Sequence, residues 1–575
     1  MKPLFKYLKE YRKESILSPL FKLFEAGLEL AVPLVMAALI DRGIAGGDTG
    51  FILRMCLLLA GLALAGLVSS ITAQYYAAKA AAGFGKEIKR ALFEKTQSLS
   101  FSDLDSIGVS TLVTRLTSDS NQAQTGINLT LRLLLRSPFI VFGAAIMAFT
   151  VDHKAALVFA GAIPLLALVI FAVMLVCIPL YRAVQARLDR IVGAVRQNLV
   201  GVRVVRAFGL EESETDAFRR ENGLLFSMQR AVGRIASLLN PATNVIINLA
   251  VALLIWVGAI RVQAGALTQG EVVALYNYMS QILVELVKLA SLIITINKSI
   301  ASGKRIQQVL ELPSTMRAPD VRTAQPQGDA AVELSAVGLR YYADAEEALS
   351  GINLTVSRGQ TVGIIGGTGA GKSSLVNLIP RFYDASEGTV RVFGVDVKDY
   401  PLDELRQRVG IVPQSAALFS GSVRDNIRWG KPDATDEEIW QALALAQVQD
   451  SIAEKGGLDA AIEQGGRNLS GGQKQRLTIA RALVRKPDIL ILDDSASALD
   501  YATDARLRAS IRSMEGSPTV FIVSQRASSV LYADQILVLE DGEVAGLGTS
   551  DELLSSCPVY REIYETQFET EAAHA

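Results

Sequence analysis

The chain has 575 residues, of which 50% are hydrophobic and 20% charged, and its formal net charge is −1. This length is too great for a single domain, and the positive mean hydropathy of +0.31 points to a membrane protein. The net charge argues neither for nor against nucleic acid, and no nucleic-acid partner is predicted. Three cysteines lie far apart, and they indicate neither a disulfide framework nor a metal cluster.

The first 300 residues predict a membrane domain. A basic, amphipathic segment at 1–10 lacks a small-residue cleavage site, which favours an interfacial helix over a signal peptide. Six apolar segments follow, at 16–40, 51–78, 131–150, 155–180, 238–260 and 272–296. Each has about the ~20 residues or more that cross a bilayer as a helix. The sequence therefore predicts a multi-pass protein with the lipid bilayer as a partner.

Four of the six segments carry charges: Lys22, Glu25 and Glu29, then Arg54, then Arg132 and Arg136, and finally Glu285 and Lys288. Charges at membrane depth are costly, so these helices are expected to face one another or a water-filled cavity. For Lys22, Arg54 and Arg132, a position near a helix end with the charge reaching the interface is an equal alternative. Glu285 and Lys288 lie three residues apart and are predicted to pair on one helix face.

Basic residues decide the predicted orientation. They are concentrated before the first segment and after the second, fourth and sixth, whereas the short loops at 41–50, 151–154 and 261–270 carry few. By the positive-inside rule, both termini and the second half of the chain lie in the cytoplasm. The predicted location is the cell membrane, inner or plasma.

The connections on the cytoplasmic side are long. Those near 81–130 and 181–237 exceed forty residues, contain no proline and keep a helical pattern. They are predicted to be membrane helices that continue into the cytoplasm. Each is expected to turn back through a short element, near 107–114 and near 208–215.

A change in composition marks the predicted domain boundary. Pro313, Pro319, Pro326 and Gly328 indicate a linker at 312–330. It separates a transmembrane domain at 1–311 from a second domain at 331–575. The second domain has the pattern of a soluble α/β fold, with strands predicted at 331–334, 361–365, 389–392, 489–492, 520–523 and 535–539.

The second domain is organised around one loop. It fits the pattern G-x-x-x-x-G-K-[ST] through Gly366, Gly367, Thr368, Gly369, Ala370, Gly371, Lys372 and Ser373, and Ser374 follows. A predicted strand precedes the loop and a predicted helix follows it, which is the context that a phosphate loop requires. Lys372 is expected to reach the β- and γ-phosphates, and the Ser373 hydroxyl to bind Mg²⁺. The domain is therefore predicted to bind a nucleoside triphosphate.

Two carboxylates end a later predicted strand. Asp493 and Asp494 follow the apolar run at 489–492, and ligands of an open parallel sheet lie at the carboxyl ends of its strands. Asp493 is predicted to hold Mg²⁺. Position 494 is where a base would orient the attacking water.

At 468–477 the sequence Asn-Leu-Ser-Gly-Gly-Gln-Lys-Gln-Arg-Leu resembles the signature of ATP-binding cassette (ABC) proteins. With six spans ahead of it, the chain resembles an ABC exporter half-transporter over essentially its full length. Tyr341 matches the adenine-stacking aromatic of the family, with Tyr342 as the alternative, and the residues from Ser497 to Asp500 match the D-loop. Gln414 matches the Q-loop glutamine and joins Ser373 and Asp493 as a predicted Mg²⁺ ligand.

The resemblance implies the fold class and the partners. The fold would be a six-span α-helical transmembrane domain with long cytoplasmic extensions, followed by an α/β phosphate-loop cassette that uses ATP and Mg²⁺. Two cassettes would close head to tail on two ATP molecules, each held between the phosphate loop of one cassette and the signature of the other. The signature half in this chain would comprise Ser470, Gly471, Gly472 and Gln473, beside Asp500 of the D-loop. A second half-transporter is therefore an expected partner.

Two catalytic positions depart from the family pattern. Asp494 stands where the family has Glu, and its side chain is one methylene too short for close approach to the attacking water. Gln525 stands where the family has His, and its amide can bond a γ-phosphate but cannot carry an imidazolium charge. Because losing one positioned group typically costs about 10²–10³ in rate, the sequence predicts a degenerate site. The expected assembly is a heterodimer whose other chain supplies Glu and His.

Two alternatives stay open at this point: a homodimeric exporter or importer that tolerates both substitutions, and a nucleotide-sensing regulatory membrane subunit. The predicted substrate is an amphipathic small molecule, a drug or a lipid. Candidate cavity residues, which could equally be contacts between helices, are Asn244, Asn248, Trp256, Tyr276, Asn277, Tyr278 and Gln281. In exporters of this family the short cytoplasmic turns dock onto the cassettes near the Q-loop, and we expect transport to be coupled through them.

Overall fold

The computed structural model describes residues 2–316, 319, 321, 328–342, 344–495, 499–514 and 516–574. The chain divides into two compact units. The first unit comprises Met1–Gln97 and Val109–Leu312, and the second comprises Ser98–Gly108 and Pro313–Ala575. The second unit thus includes a short segment that the sequence analysis had placed within the transmembrane domain. Residues 317, 318, 320 and 322–327 of the predicted linker at 312–330 lie outside the described residues.

The first half of the chain is helical. Its helices are α1 (Pro3–Ile44), α2 (Thr49–Ser98), α3 (Phe101–Ile107), α4 (Val109–Val151), α5 (His153–Val200), α6 (Val202–Ala207), α7 (Glu211–Gln263) and α8 (Gln269–Leu310). Six of these, all but α3 and α6, are long and apolar enough to cross a bilayer, which confirms the predicted spans. They have 42 to 53 residues, about twice the ~20 that a bilayer requires. The excess length agrees with the predicted extensions beyond the membrane.

The two short helices begin earlier than predicted. The expected turns near 107–114 and 208–215 correspond to α3 and α6, which start at Phe101 and Val202. Ser100 begins α3 with a capping box, because its hydroxyl accepts from the Asp103 amide at 3.1 Å and the Asp103 carboxylate accepts from the Ser100 amide at 3.2 Å. Gly108, at a φ of 79°, ends it. These two signals were missed in the sequence, so the first turn was placed too late, whereas the break between α6 and α7 at 208–210 lies within the second predicted turn.

Charges within the membrane helices pair with one another, as expected. The guanidinium of Arg136 on α4 donates to Glu285 on α8 at 2.6 Å and to Glu29 on α1 at 2.7 Å. Glu285 also accepts from Ser137 at 2.8 Å and from Lys288 at 2.9 Å, which confirms the predicted pair on α8. One arginine therefore joins three membrane helices.

The alternatives for individual side chains are also resolved. Lys22 is buried and bonds Glu25 at 2.5 Å and Ser70 at 3.2 Å, so it is a contact between helices rather than a residue reaching the interface. Arg54 lies near the start of α2 and is exposed. Tyr278 is fully buried, and its hydroxyl donates to the Leu30 carbonyl at 2.8 Å. The cavity role considered for Tyr278 is therefore wrong, because its polar atom is used between α8 and α1.

The second unit is an α/β domain. Its strands are β1 (Ala330–Leu339), β2 (Leu349–Ser357), β3 (Thr361–Gly366), β4 (Glu387–Val392), β5 (Val395–Asp396), β6 (Val409–Val412), β7 (Gly421–Ser422), β8 (Ala461–Ile462), β9 (Ile489–Asp493), β10 (Thr519–Val523), β11 (Gln535–Glu540) and β12 (Glu543–Gly548). Its helices are α9 (Lys372–Leu378), α10 (Leu402–Arg408), α11 (Val423–Arg428), α12 (Asp436–Leu445), α13 (Gln449–Glu454), α14 (Gly471–Leu483), α15 (Tyr501–Arg512), α16 (Ala527–Val530), α17 (Ser550–Ser556) and α18 (Pro558–His574). All six predicted strands are present.

Two main sheets organise this domain. Six strands are ordered β12-β11-β3-β10-β9-β6, and all their pairings are parallel except that of β12. A second, antiparallel sheet has the order β2-β1-β4-β5. In the larger sheet β10 lies between β3 and β9, so the carboxyl ends of these three strands meet at one edge. This is where ligands bind in open parallel sheets.

Replacing Arg136 tests whether the membrane unit depends on its central ion pair. Arg136→Met would leave Glu285 buried with Lys288 as its one remaining charged partner among the described residues. Removing one member of a buried ion pair typically costs about 3–5 kcal/mol. We expect a clearly lower midpoint of thermal unfolding in detergent. The exposed Arg54→Met should leave the midpoint unchanged, and equal midpoints for both variants would refute the structural role.

Candidate functional site

The phosphate loop connects β3 to α9 with a backbone that glycine alone tolerates at two positions. Gly366 and Gly371 have φ values of 157° and 91°. A Cβ at Gly366 would lie 2.1 Å from the Leu539 carbonyl oxygen, and one at Gly371 would lie 2.6 Å from that of Ala348. Both contacts are with backbone, which cannot give way as a flexible side chain would. The loop can therefore turn its amides towards an anion at the start of α9.

Lys372 lies folded into this loop. Its ammonium group donates to the carbonyl oxygens of Gly366 at 2.8 Å and Gly367 at 2.6 Å. Burial lowers the pKa of the Lys372 ammonium, and the nearby charges of Asp494 and Asp493 oppose that shift. A buried cation held by carbonyl dipoles is well placed to exchange them for phosphate oxygens.

Ser373 and Asp493 form the candidate magnesium site. The Ser373 hydroxyl donates to the Asp493 carboxylate at 2.9 Å. Burial raises the pKa of the Asp493 carboxyl, and the charge of Asp494 raises it further, whereas the Ser373 hydrogen bond and the Lys372 charge lower it. One hydroxyl and one carboxylate are a hard oxygen donor set that suits Mg²⁺, which takes its other ligands from phosphates and water. The residues therefore fit the ion, which would neutralise a carboxylate that burial disfavours.

Asp494 and Gln525, the two positions that depart from the family pattern, line the same cleft as the Ser373 and Asp493 pair. Asp494 has a φ of 45°, its amide donates to the Val523 carbonyl at 2.9 Å, and its carboxylate lies 3.4 Å from the Gln414 amide nitrogen. Gln525 follows β10 and is exposed. The backbone around it is held by Gln567 of α18, whose side chain bonds the Gln525 carbonyl and the Ala527 amide, both at 2.8 Å. Sequence reasoning missed Gln567, since nothing local marks it as part of a site.

These groups line one cleft of about 320 Å³. Its walls include the predicted residues Tyr341, Thr368, Gly369, Ala370, Gly371, Lys372, Ser373, Ser374, Gln414, Asp493, Asp494 and Gln525, together with Ala348 and Val523, which were not predicted. Of the two candidate tyrosines, Tyr341 lines the cleft and its hydroxyl lies 2.8 Å from that of Ser374, whereas Tyr342 is 53% exposed. The structure thus brings the predicted phosphate, metal and water-orienting residues together.

A helix from the first half of the sequence contacts the domain next to Tyr341. The Tyr341 ring meets Tyr383 edge-on, with centroids 5.0 Å apart. The Tyr383 hydroxyl donates to Asp105 of α3 at 2.7 Å, and Phe101 of α3 lies 4.6 Å from the Phe382 ring. These contacts explain why Ser98–Gly108 belongs to the second unit. They also place α3 by the aromatic side of the cleft, whereas the sequence analysis had expected it near Gln414.

The signature residues are not part of this cleft. Ser470 begins α14 with a capping box, in which its hydroxyl accepts from the Gln473 amide at 3.3 Å. Ser470 and Gly471 are exposed, while the Gln473 amide group bonds Ser451 at 2.6 Å. Asp500 caps α15, accepting from the Thr503 amide at 2.9 Å. Ser497 lies outside the described residues. The predicted signature residues therefore lie apart from the cleft that the phosphate loop lines.

Removing the Gln567 side chain tests the clamp on the segment around Gln525. Gln567→Ala would cost two hydrogen bonds, each worth about 1 kcal/mol. We expect hydrogen exchange of the Ala527 amide to rise roughly 5-fold or more, since each 1.4 kcal/mol corresponds to a factor of ten. Glu565→Ala, an exposed position on the same helix, is the control. Exchange that is the same in both variants would show that Gln567 does not hold this segment.

Family profiles, relatives in sequence and a solved structure all match this chain as an ABC transporter. A family profile described as "ABC transporter transmembrane region" matches residues 15–286, and one described as "ABC transporter" matches residues 349–497. An uncharacterised ABC transporter ATP-binding protein of Mycobacterium tuberculosis is 36% identical over 98% of this chain and 97% of its own length. An ATP-dependent lipid A-core flippase of Chromohalobacter salexigens is 30% identical over 98% of this chain and 97% of its own length. A solved structure of a bacterial Atm1-family ABC exporter with ATP bound has a TM-score of 0.81 at 24% identity, and the match covers 97% of this chain and 99% of that one, so the fold is shared.

Proposed function

Because the chain belongs to the ABC transporter family, we propose that it exports an amphipathic small molecule as one half of a heterodimer. It is a six-span membrane protein with a cytoplasmic ATP-hydrolysing domain. Within the proposed heterodimer, its phosphate-loop half-site binds ATP and turns it over slowly. Its signature half-site completes a faster site with the other chain.

The separation of the two half-sites carries the proposal of pairing. Tyr341, Lys372 and Asp493 line the cleft, whereas Ser470 lies at the exposed start of α14 and does not. A helix N-terminus with a hydroxyl and two following glycines presents donors for phosphate oxygens. Within the described part of the chain, the phosphate loop does not face these donors. A second cassette is therefore needed to bring a bound ATP to them.

Two observations support a slow site in this chain. Asp494 reaches towards Gln414 with a carboxylate one methylene shorter than Glu, and its left-handed backbone is fixed by the bond to Val523. Gln525 is exposed and carries an amide instead of an imidazole. The Gln567 side chain donates to the Gln525 carbonyl and so fixes the backbone of this segment. The shorter Asp494 carboxylate holds the base farther from the attacking water, and Gln525 cannot supply the cationic group expected at its position. The Ser373 and Asp493 pair is nevertheless intact, so Mg²⁺ and ATP would still bind.

Ser373 and Asp493 would hold Mg²⁺, which would supply neutralisation of the phosphate charge. Lys372 holds phosphate oxygens in place of the two carbonyls it now contacts. The Tyr341 ring covers the adenine base of ATP. Tyr383 and the hydrogen bond with Ser374 fix the position of this ring. Gln414 and Asp494 position water beside the γ-phosphate. The contact of Tyr383 with Asp105 would carry the state of the nucleotide to α3.

Turnover measurements test the heterodimer directly. We expect the purified chain alone to hydrolyse ATP at a rate about 10²-fold or more below that of its complex with a half-transporter that has Glu and His at the two positions. Asp494→Glu with Gln525→His should raise the rate of the complex further by activating the second site. Brisk turnover and transport by the chain alone would instead indicate a homodimer.

A matched pair of tyrosine variants tests the route from the cleft to α3. Tyr383→Phe keeps the ring against Tyr341 but removes the hydrogen bond to the Asp105 carboxylate, a type of bond worth about 1.5–3 kcal/mol. We expect ATP affinity to stay unchanged while transport per ATP hydrolysed falls several-fold. Tyr342→Phe, which alters an exposed hydroxyl, is the control. Unchanged coupling in Tyr383→Phe would exclude this route.

A further inference from the structure

The cytoplasmic end of α1 carries an open groove of about 460 Å³. Three cations and three apolar side chains, together with one serine, line it: Lys6, Lys9, Arg12, Phe5, Leu8 and Ile16. None of the described residues that line the groove is acidic. A ligand there would therefore meet positive charge beside an apolar wall.

The charges of the groove are not neutralised within the described part of the chain. Lys6, Lys9 and Arg12 are exposed, and no carboxylate there forms an ion pair with any of them. The Lys6 Nζ lies 4.9 Å from the centroid of the Tyr7 ring, a contact that leaves its hydrogen-bond donors unused. Glu10, the carboxylate that lies between these cations in sequence, does not line the groove.

The opposite face of this segment is held against the membrane unit. Leu4 is buried. Tyr11 packs on α2 at Gly83, where a Cβ would lie 2.1 Å from the Tyr11 ring, so the close approach requires glycine. Glu14 bonds Lys79 of α2 at 2.8 Å, which neutralises a carboxylate next to the groove. The groove is therefore preformed, with its cations turned outward.

An apolar stripe continues from the groove along α1. Ile16, Leu20 and Phe24 lie four residues apart, so they share one face of the helix, and each is more than half exposed. The stripe lies within the predicted span at 16–40, whereas the three cations precede that span and so lie at the level of the lipid headgroups. This surface matches a molecule with an anionic head and an apolar chain.

A lipid fits this surface better than a nucleic acid or an acidic protein segment does. Either of those would pair with the cations, but neither would cover a stripe of apolar side chains at membrane depth. The phosphate of an anionic phospholipid accepts charge-assisted hydrogen bonds from ammonium and guanidinium groups. Anionic phospholipids also belong to the cytoplasmic leaflet, the side on which the groove lies.

We propose that this groove is a binding site for one anionic phospholipid, whose phosphate lies among Lys6, Lys9 and Arg12 and whose acyl chain covers Leu20 and Phe24. The lipid is bound on the outside of the helices and is not the exported molecule. Binding requires neither ATP nor a partner chain, so the proposal goes beyond the proposed function and does not rest on it.

Quenching of a tryptophan by brominated lipid provides the test. Phe24→Trp places a reporter on the exposed stripe, and Trp256→Phe removes the native tryptophan of the membrane unit. The full chain would be placed in nanodiscs of phosphatidylglycerol and phosphatidylcholine, with first one lipid and then the other brominated in its chains. The two degrees of quenching give the relative affinity of the lipids at the reporter. We expect phosphatidylglycerol to be preferred about 10-fold, because each basic residue near an anionic headgroup contributes a factor of about five.

Charge variants of the reporter chain locate the preference. Lys9→Gln with Arg12→Gln should lower it about 5-fold or more. Arg203→Gln with Arg206→Gln is the matched control, since it removes two exposed cations of α6, outside the groove, and should leave the preference unchanged. Lys9→Arg with Arg12→Lys keeps both charges and should retain the preference, which separates the loss of charge from a change in folding.

The outcomes decide between a lipid site and its alternatives. A preference that only the glutamine variant of the groove loses supports the site, whether or not the complex exports anything. Equal quenching by the two lipids in the reporter chain overturns it, and so does a preference that survives Lys9→Gln with Arg12→Gln. Glycerol phosphate has the head but no chain, so it should not displace the brominated lipid. Displacement by glycerol phosphate would indicate a site for a soluble phosphate and would overturn the proposal.

Discussion

The hydrogen bond from Ser373 to Asp493 joins the phosphate loop to the end of β9, and the rest of the ATP cleft is arranged around it. Because β10 pairs with both β3 and β9, the loop, the carboxylate and the segment at Gln525 meet at one edge of the sheet. The arrangement buries a carboxylate whose pKa is raised by that burial. The ionised Asp493 carboxylate is therefore unfavourable in the absence of a metal ion. Binding of Mg²⁺ with nucleotide would offset the free energy that its burial costs.

Charge compensation also organises the membrane unit. Arg136 is buried at the meeting point of three helices, and the pairing with Glu29 and Glu285 makes that burial tolerable. One set of ionic contacts thus joins three membrane helices.

Features of the fold and of the site were predictable from the sequence where residues close together in the chain determine them. The six spans, the phosphate loop and the pairing of Glu285 with Lys288 follow from hydropathy, glycine spacing and helical periodicity. The strand β2 and the contacts of Gln567 and Tyr383 were missed, because they depend on neighbours distant in sequence. Tyr278 shows the opposite error: a polar aromatic on an apolar helix suggested a cavity, but its hydroxyl is used by the Leu30 carbonyl. The identities of Asp494 and Gln525 could be read directly from the sequence, whereas the distance of the signature residues from the cleft became visible only in the folded chain.

We propose that this chain holds ATP at its own phosphate loop while the partner's site hydrolyses it. The most direct test is to load the working complex with radiolabelled 8-azido-ATP, allow many turnovers, cross-link by light, separate the chains and identify the nucleotide on each. The account predicts triphosphate on this chain and diphosphate on the partner chain. Diphosphate on both chains in equal amounts would contradict it and would show that Asp494 and Gln525 support hydrolysis.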